Sequence, residues 1–328
     1  MFTREVLAID PEQVVAEITT AIREQVGRVM HRQGAVVGLS GGVDSSVTGL
    51  LCTRALGNER VLGLLMPERA SASESLEFAR QVAEVGQIRT ELVPIAPILE
   101  AAGCYDYQTE AVRRVIPEYE PDWGMKLVLP SLLGPERLNV FSVVVQAPDG
   151  SQQRARLSVA AYLEIVAATN MKQRVRKQTE YFWADRCNYA VAGTPNRLEY
   201  DQGFFVKNGD GAADFKPIAH LYKTQVFALA EYLGVPESIR SRTPTTDTYS
   251  LPQTQEEFYF ALPYDRMDLC LYGKNHQVPA DEVAGVVGLT SEQVERIYAD
   301  FDIKRRTTRY LHLPPLLVTR VPEIQAAT

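Results

Sequence analysis

Cysteine is scarce, and its four copies, Cys52, Cys104, Cys187 and Cys270, stand far apart with no paired spacing. That spacing argues against a disulfide framework or a zinc site, and a reducing cytoplasm is the expected setting. Long apolar runs are also missing. None approaches the roughly 18 residues that cross a bilayer, and Met1-Phe2-Thr3-Arg4-Glu5 has no basic-then-apolar leader, so no membrane association is expected. Positive charge is in deficit: 34 Lys and Arg against 41 Asp and Glu leave a net charge of -7. That disfavours a nucleic-acid binder relying on overall charge, although a local basic patch is compatible with it. Internal repeats and low-complexity tracts are absent. The rest is ordinary for a globular protein: 328 residues, 45% apolar and 23% charged, enough to bury a large core as one domain or a domain with appendages.

Residues 40–46, Ser-Gly-Gly-Val-Asp-Ser-Ser, close an apolar run that starts at Ala35. Val47 to Leu56 then reads as a helix ended by Gly57. Strand, glycine loop and helix aim unpaired N–H groups at an anion. Ser40, Ser45 and Ser46 add hydroxyl donors. Asp44 is out of place beside a phosphate unless a divalent cation sits between them. The Gly-Lys-Ser/Thr of a Walker A loop is lacking. A Gly/Ser turn that merely joins strand to helix is the plainer alternative, and the seven residues in this context weigh against it. The loop resembles the PP-loop of the N-type ATP pyrophosphatases, which cleave ATP to AMP and pyrophosphate.

Along the chain, Asp10-Pro11-Glu12-Gln13 reads as a helix start. Val14, Ile18, Ile22, Val26 and Met30 give that helix one apolar face. Strands are predicted at 60–66, 90–95 and 189–193, with a helix over roughly 74–85. The alternation implies a doubly wound parallel sheet, whose ligands bind beyond the C-terminal strand ends. Residues 104–157 break the rhythm. Within them, two alternating stretches flank Pro148-Asp149-Gly150 as a hairpin; Arg154 and Arg156 share one strand face there. A long helix from about Ser158 to Cys187 follows, then a helix from Tyr222 to Leu233. Residues 280–301 read as two short helices, and Glu292, Glu295 and Asp300 make the second too acidic for a DNA reader.

A second dense region, 193–225, begins at the end of the fourth strand and should face the glycine loop. It supplies Glu199, Lys207, Lys223, Asp210 and Asp214. Magnesium needs hard oxygen ligands, and a breaking α–β phosphate bond needs cations. A solvated loop of mixed charge would carry the same residues.

Six blocks in order are similar to those of the NAD synthetase family: Ser40–Ser45, Asn170–Arg174, Gly193–Glu199, Gly203–Asp214, Leu221–Lys223 and Pro244–Asp247. Tyr264-Asp265 with Asp268, and Lys304-Arg305-Arg306, continue the likeness. It covers most of residues 10–318 apart from about 104–157.

The resemblance implies an adenine nucleotide alpha hydrolase-like fold: a doubly wound parallel sheet with an inserted hairpin. It implies one domain over 1–328, with an insert at about 104–157 and a helical C-terminal region from about 253. It implies ATP binding by Gly38, Leu39, Ser40, Gly41, Gly42, Val43, Asp44, Ser45, Thr194, Lys223 and Thr245. Asp44 and Glu199 would hold Mg2+, and Arg174, Lys207, Asp214 and Lys304 would hold the dinucleotide. Asp44, Lys207 and Lys223 would carry the catalysis. The implied reaction adenylates the nicotinate carboxylate of deamido-NAD and amidates it with ammonia, giving NAD, AMP and pyrophosphate. The alternative is a ligase of the same family that amidates a different small carboxylic acid. A homodimer is implied, with apolar residues of the long helix (Tyr162, Ile165, Val166, Tyr181, Phe182) as interface candidates. No glutaminase precedes the loop, so ammonia would be free or come from a separate glutaminase. Departures from the family pattern fall at Thr169, Asn208 and Ile303, mostly on the acceptor side.

Overall fold

Ala35, Val36 and Val37 are fully buried because both faces of their strand are covered. Odd and even residues serve different cores, as a period of two requires. The structure, a computed structural model, describes residues 2–71, 73–128, 141–242, 249–251, 259 and 262–324. In chain order its elements begin with α1 (Pro11–Arg23), β1 (Ala35–Gly38), α2 (Val43–Leu56), β2 (Val61–Leu65) and α3 (Ser73–Gly86). Next come β3 (Arg89–Leu92), α4 (Ala96–Ala101), α5 (Cys104–Arg113), β4 (Gly124–Val128), β5 (Ser142–Gln146) and β6 (Gln152–Arg156). Then follow α6 (Val159–Cys187), β7 (Ala190–Val191), α7 (Arg197–Gln202), α8 (Lys223–Tyr232) and α9 (Glu237–Arg240). The last are α10 (Tyr264–Asn275), α11 (Ala280–Val287) and α12 (Ser291–His312).

Four strands pair in parallel in the order β3-β2-β1-β7, with Ala35 opposite Val61 on one side and Ala190 on the other. Ala35, Val37, Val61 and Leu65 pack against α1, α2 and α8 through Ile18, Ile22, Val47, Leu51, Val226 and Leu229. Val36, Leu62, Leu64 and Val191 pack on the opposite face against Ala168, Val175 and Ala184 of α6 and Leu99 of α4. This is the doubly wound arrangement expected from the strand–helix alternation. Gly63 has a packing reason: a Cβ there would lie 2.6 Å from Leu39 Cδ1. The first helix starts at Pro11, as read, with Asp10 accepting from the Glu12 and Gln13 amides.

Strands β4, β5 and β6 form a second, antiparallel sheet in that order. The hairpin predicted around Pro148-Asp149-Gly150 is present, and Gly150 takes a φ of 85° that its turn requires. Strand β4 went unread in the sequence, yet Met125 and Leu127 alternate inward and pack with Val143 and Val145 on α5 and α6. Arg154 and Arg156 are exposed, on the side away from that core. A separate cluster joins α10, α11 and α12 through Met267, Leu271, Val283, Val287, Ile297 and Phe301. Here the two-short-helix reading needs correction, because α12 runs for 22 residues. Thr290 caps its start, and no Gly or Pro interrupts the chain before Pro314. Among the described residues, no helix is long and apolar enough to cross a membrane.

Candidate active site

At the C-terminal end of β1 the chain turns through Ser40, Gly41 and Gly42 into α2. Gly41 has a φ of 79°, and a Cβ there would sit 2.4 Å from the Ser75 carbonyl, so only glycine fits. The hydroxyls of Ser40 and Ser45 lie 3.0 Å apart, and those of Ser45 and Ser46 donate to the Gly42 carbonyl at 3.0 and 2.8 Å. No side chain caps the start of α2 at Gly42. The first-turn amides are thereby left for an anion, at the positive end of the helix dipole.

The loop opens on a cavity of about 680 Å³ lined by Gly38 to Ser45, Thr194, Glu199 and Lys223. Most of the implied nucleotide residues therefore surround one space. Thr245 lies outside the described residues, as does Asp247. Lys223 is completely buried, and its ammonium donates to Asp44 Oδ2. It is also the first residue of α8, where a cation opposes the helix dipole. Two carboxylates offset that cost: Asp44 at the Lys223 tip, and Asp268, whose Oδ2 accepts the Thr224 amide at 2.7 Å.

Glu199 is the third helical residue of α7, held by reciprocal bonds with Asn196: amide to carboxylate and amide to side-chain carbonyl, both at 3.2 Å. Asn196 Nδ2 then donates to Asp44 Oδ1 at 3.1 Å. One buried asparagine thus ties the two carboxylates together. Burial, with the Asp44 carboxylate as the next cause, pushes the Glu199 carboxyl up to about 8. Two carboxylates held this close favour a shared cation or a shared proton. Among the described residues there is no group of three or more His, Cys, Asp and Glu side chains able to hold a metal alone. A pair of carboxylates completed by substrate phosphates is the usual magnesium arrangement, and this donor set fits it.

The implied acceptor residues are placed differently. Arg174 is exposed and its Nε donates to the Lys207 carbonyl at 3.2 Å. Lys207 Nζ donates to the Tyr310 and Leu313 carbonyls at the end of α12, at 2.7 and 3.0 Å. Asp214 accepts the Val191 amide at 2.7 Å and the Tyr181 hydroxyl at 3.2 Å. Lys304 pairs with Asp300 at 2.8 Å and donates to the Tyr259 carbonyl at 2.9 Å. None of the four lines the cavity, although Tyr259 does. Of the three departures from the family pattern, Thr169 lines the cavity, whereas Asn208 and Ile303 are exposed. Asn208 has a φ of 61°, a left-handed conformation that asparagine tolerates better than most side chains.

Several cavity residues escaped the sequence reading. Arg176, Lys177, Glu180 and Arg242 add charge to its wall, and Phe141, Phe204, Tyr249 and Tyr259 add aromatic surface; Tyr162, an interface candidate from the sequence, lines the cavity instead. Asn196 had a readable signal, since Asn-x-x-Glu before a helix is a capping box. The α6 residues had none beyond membership of a long helix.

A family model described as NAD synthase matches residues 14–115 and 143–308. The chain belongs to the NAD synthase family. It is 58% identical over 317 residues to the NH(3)-dependent NAD(+) synthetase of Mesorhizobium japonicum, covering 97% of this chain and 99% of that protein. The Thermotoga maritima protein of the same name is 38% identical over 76% of this chain and 83% of its own length. Among solved structures, the NH3-dependent NAD synthetase from Campylobacter jejuni, in complex with nitrate, aligns with a TM-score of 0.62 at 21% identity, covering 95% of this chain and all of that one. NMN synthetase from Francisella tularensis aligns with a TM-score of 0.62 at 22% identity, covering 94% and 100%. These structural likenesses confirm the fold. The family model leaves 116–142 unmatched, a narrower gap than the 104–157 read from sequence.

Proposed function

We infer that this chain is an ammonia-dependent, AMP-forming ligase that adenylates the nicotinate carboxylate of deamido-NAD and amidates it. The observation that carries this reading is the contact of Asp44, Asn196, Glu199 and Lys223 at the mouth of the phosphate loop, in a chain 58% identical to an ammonia-dependent synthetase. A carboxylate is a poor electrophile at neutral pH. Its oxygen attacks the ATP α-phosphorus, the α–β bond breaks, and pyrophosphate leaves. Ammonia then attacks the acyl carbon of the adenylate, AMP departs with the bonding pair, and one proton is released.

In this scheme the loop amides and serine hydroxyls hold the phosphates, and Lys223 follows the charge that develops on pyrophosphate. Asp44 and Glu199 would hold Mg2+, which when bound neutralises phosphate charge. The aromatic wall around Phe141, Tyr162 and Phe204 suits a flat acceptor ring. Arg174, Lys207, Asp214 and Lys304 are proposed to meet the rest of the acceptor once their present bonds to the chain are exchanged for substrate. A homodimer is proposed too: of the α6 interface candidates, Phe182 is 60% exposed and could meet a second copy, whereas Ile165 is fully buried in this chain's own core. Four free thiols, three of them buried, accord with a cytoplasmic setting.

The decisive experiment measures pyrophosphate release from ATP and ammonium across a panel of carboxylic acids that includes deamido-NAD. Turnover with deamido-NAD at least tenfold above every other acid supports the reading. Turnover confined to another acid would leave the ligase chemistry and replace the substrate.

A further inference from the structure

The cavity has a charged wall that the roles above leave unused. Lys177 and Glu180 lie three residues apart on α6 and are buried, Glu180 to 6% exposure. Lys177 Nζ donates to Glu180 Oε2 at 2.5 Å. The other oxygen, Oε1, takes no hydrogen bond from any described residue, and Glu180 lines the cavity. Its position is fixed by the strand ends. A Cβ on residue 38 would lie 2.9 Å from Glu180 Oε1 and 3.3 Å from Met66 Cε, so the carboxylate rests on the last residue of β1 beside the end of β2.

The Oε1 oxygen opens onto the cavity, where water or a bound ligand can donate a hydrogen bond to it. Phosphate cannot supply one, because like charges repel. When the triphosphate sits on Ser40–Ser45, the part of ATP that lies back over Gly38 and Met66 is the nucleoside. Its paired donors are the ribose 2′- and 3′-hydroxyls. A carboxylate at a strand end reading ribose hydroxyls is the solution that dinucleotide folds use. Lys177 keeps Glu180 turned toward the cavity and offsets its burial.

We propose that Glu180, positioned by Lys177, accepts a hydrogen bond from the ribose hydroxyls of ATP and sets the enzyme's preference for ribonucleotides. This rests on the ATP-dependent ligase reading. The test compares ATP, 2′-deoxy-ATP and 3′-deoxy-ATP in pyrophosphate release by the wild type and by the Lys177→Met/Glu180→Leu double variant. That variant exchanges the buried pair for apolar groups of similar volume, a change interiors commonly tolerate. Glu180→Gln is the single-site companion. The wild type is expected to favour ATP over at least one deoxynucleotide by about tenfold or more in kcat/KM, the scale of one hydrogen bond to a charged group. In the double variant that preference should fall to about twofold or less through loss of activity with ATP, with the deoxynucleotide little changed. Glu180→Gln keeps one acceptor oxygen without the charge and should retain part of the preference; the idea is overturned by a wild type without preference, by a preference that survives undiminished in the double variant, or by all three nucleotides losing activity in equal measure there. If the wild type releases no pyrophosphate from any nucleotide, the ligase reading fails instead. Calorimetric affinities of the intact protein for ATP and the two deoxynucleotides then decide the ribose inference, equal affinities overturning it.

Discussion

Asp44, Asn196, Glu199 and Lys223 come from three separate stretches of chain and bond to one another, whereas Arg174, Lys207, Asp214 and Lys304 spend their polar atoms largely on nearby backbone. On the proposed roles, the nucleotide end is held together by bonds among its own side chains. At the proposed acceptor end, Lys207 has two carbonyl partners and Asp214 holds a strand amide. A substrate there competes with bonds the protein makes to itself. Preorganisation on one side and exchange on the other should give different kinetic signatures when each is broken.

The largest effect is expected from Asp44→Asn. It removes one of two carboxylates facing the phosphates, and pyrophosphate release should fall by about 10³-fold, in the range seen when a single transition-state electrostatic partner is lost. Asn keeps an acceptor for Lys223, so the protein should stay folded with a lower melting temperature. Near-wild-type turnover at low magnesium would break the assignment. Lys223→Met should cost about 10²-fold in kcat with every acid tried, because its charge serves the leaving pyrophosphate; a defect confined to one acceptor would place it on the wrong side. Lys207→Met should instead raise KM for the acid about tenfold and leave kcat within about twofold, the pattern of lost uniform binding. If Lys207→Met and Lys223→Met share one kinetic defect, the contrast between the two ends collapses. Phe141→Ala, at the cavity wall beside β5, should raise the same KM by only a few fold, with ATP affinity unchanged by calorimetry.

Asp268 should give the smallest change in turnover and a measurable change in stability. Burial pushes its carboxyl up to about 6 from the ordinary 3.8. The folded protein therefore holds a proton that the unfolded chain has released between those values. The contribution of this group is full below about pH 4 and is lost as pH rises through about 6. Asp268→Asn still accepts the Thr224 amide and does not titrate. The wild type should lose roughly 3 kcal/mol relative to this variant between pH 4 and pH 7, at about 1.4 kcal/mol per unit. Urea midpoints that run parallel across that range would refute it.

The strand, glycine turn and helix of residues 35–56 were legible because their signal is local: glycine spacing, a preceding apolar strand and a following helix are contiguous in sequence. The parallel sheet followed from the same kind of periodicity. Strand β4 was not read because its inward alternation, Met125 and Leu127, spans only five residues. The length of α12 was missed because its basic second half resembles a solvated tail until the absence of Gly and Pro is weighed. Pairings across the chain left no trace at all. Glu68 and Lys172 form a buried ion pair at 3.1 Å, with Tyr105 donating to the same carboxylate at 3.1 Å, although 104 positions separate the two charges. The cavity face of α6 hides equally well, since Lys177 and Glu180 look like any surface pair three residues apart until the sheet is placed beneath them.

The burial of Lys223 also bears on self-damage. The proposed reaction makes an acyl-adenylate, an electrophile that any free amine could intercept. Among the described residues, the lysine bonded to Asp44 is Lys223, whose side chain is buried and whose nitrogen is committed to that carboxylate. An ammonium in that bond has no lone pair to offer. On the proposed roles, Lys223 is thereby a poor competitor with ammonia for the activated acid, and Lys177, the other lysine on the cavity wall, is likewise held by Glu180.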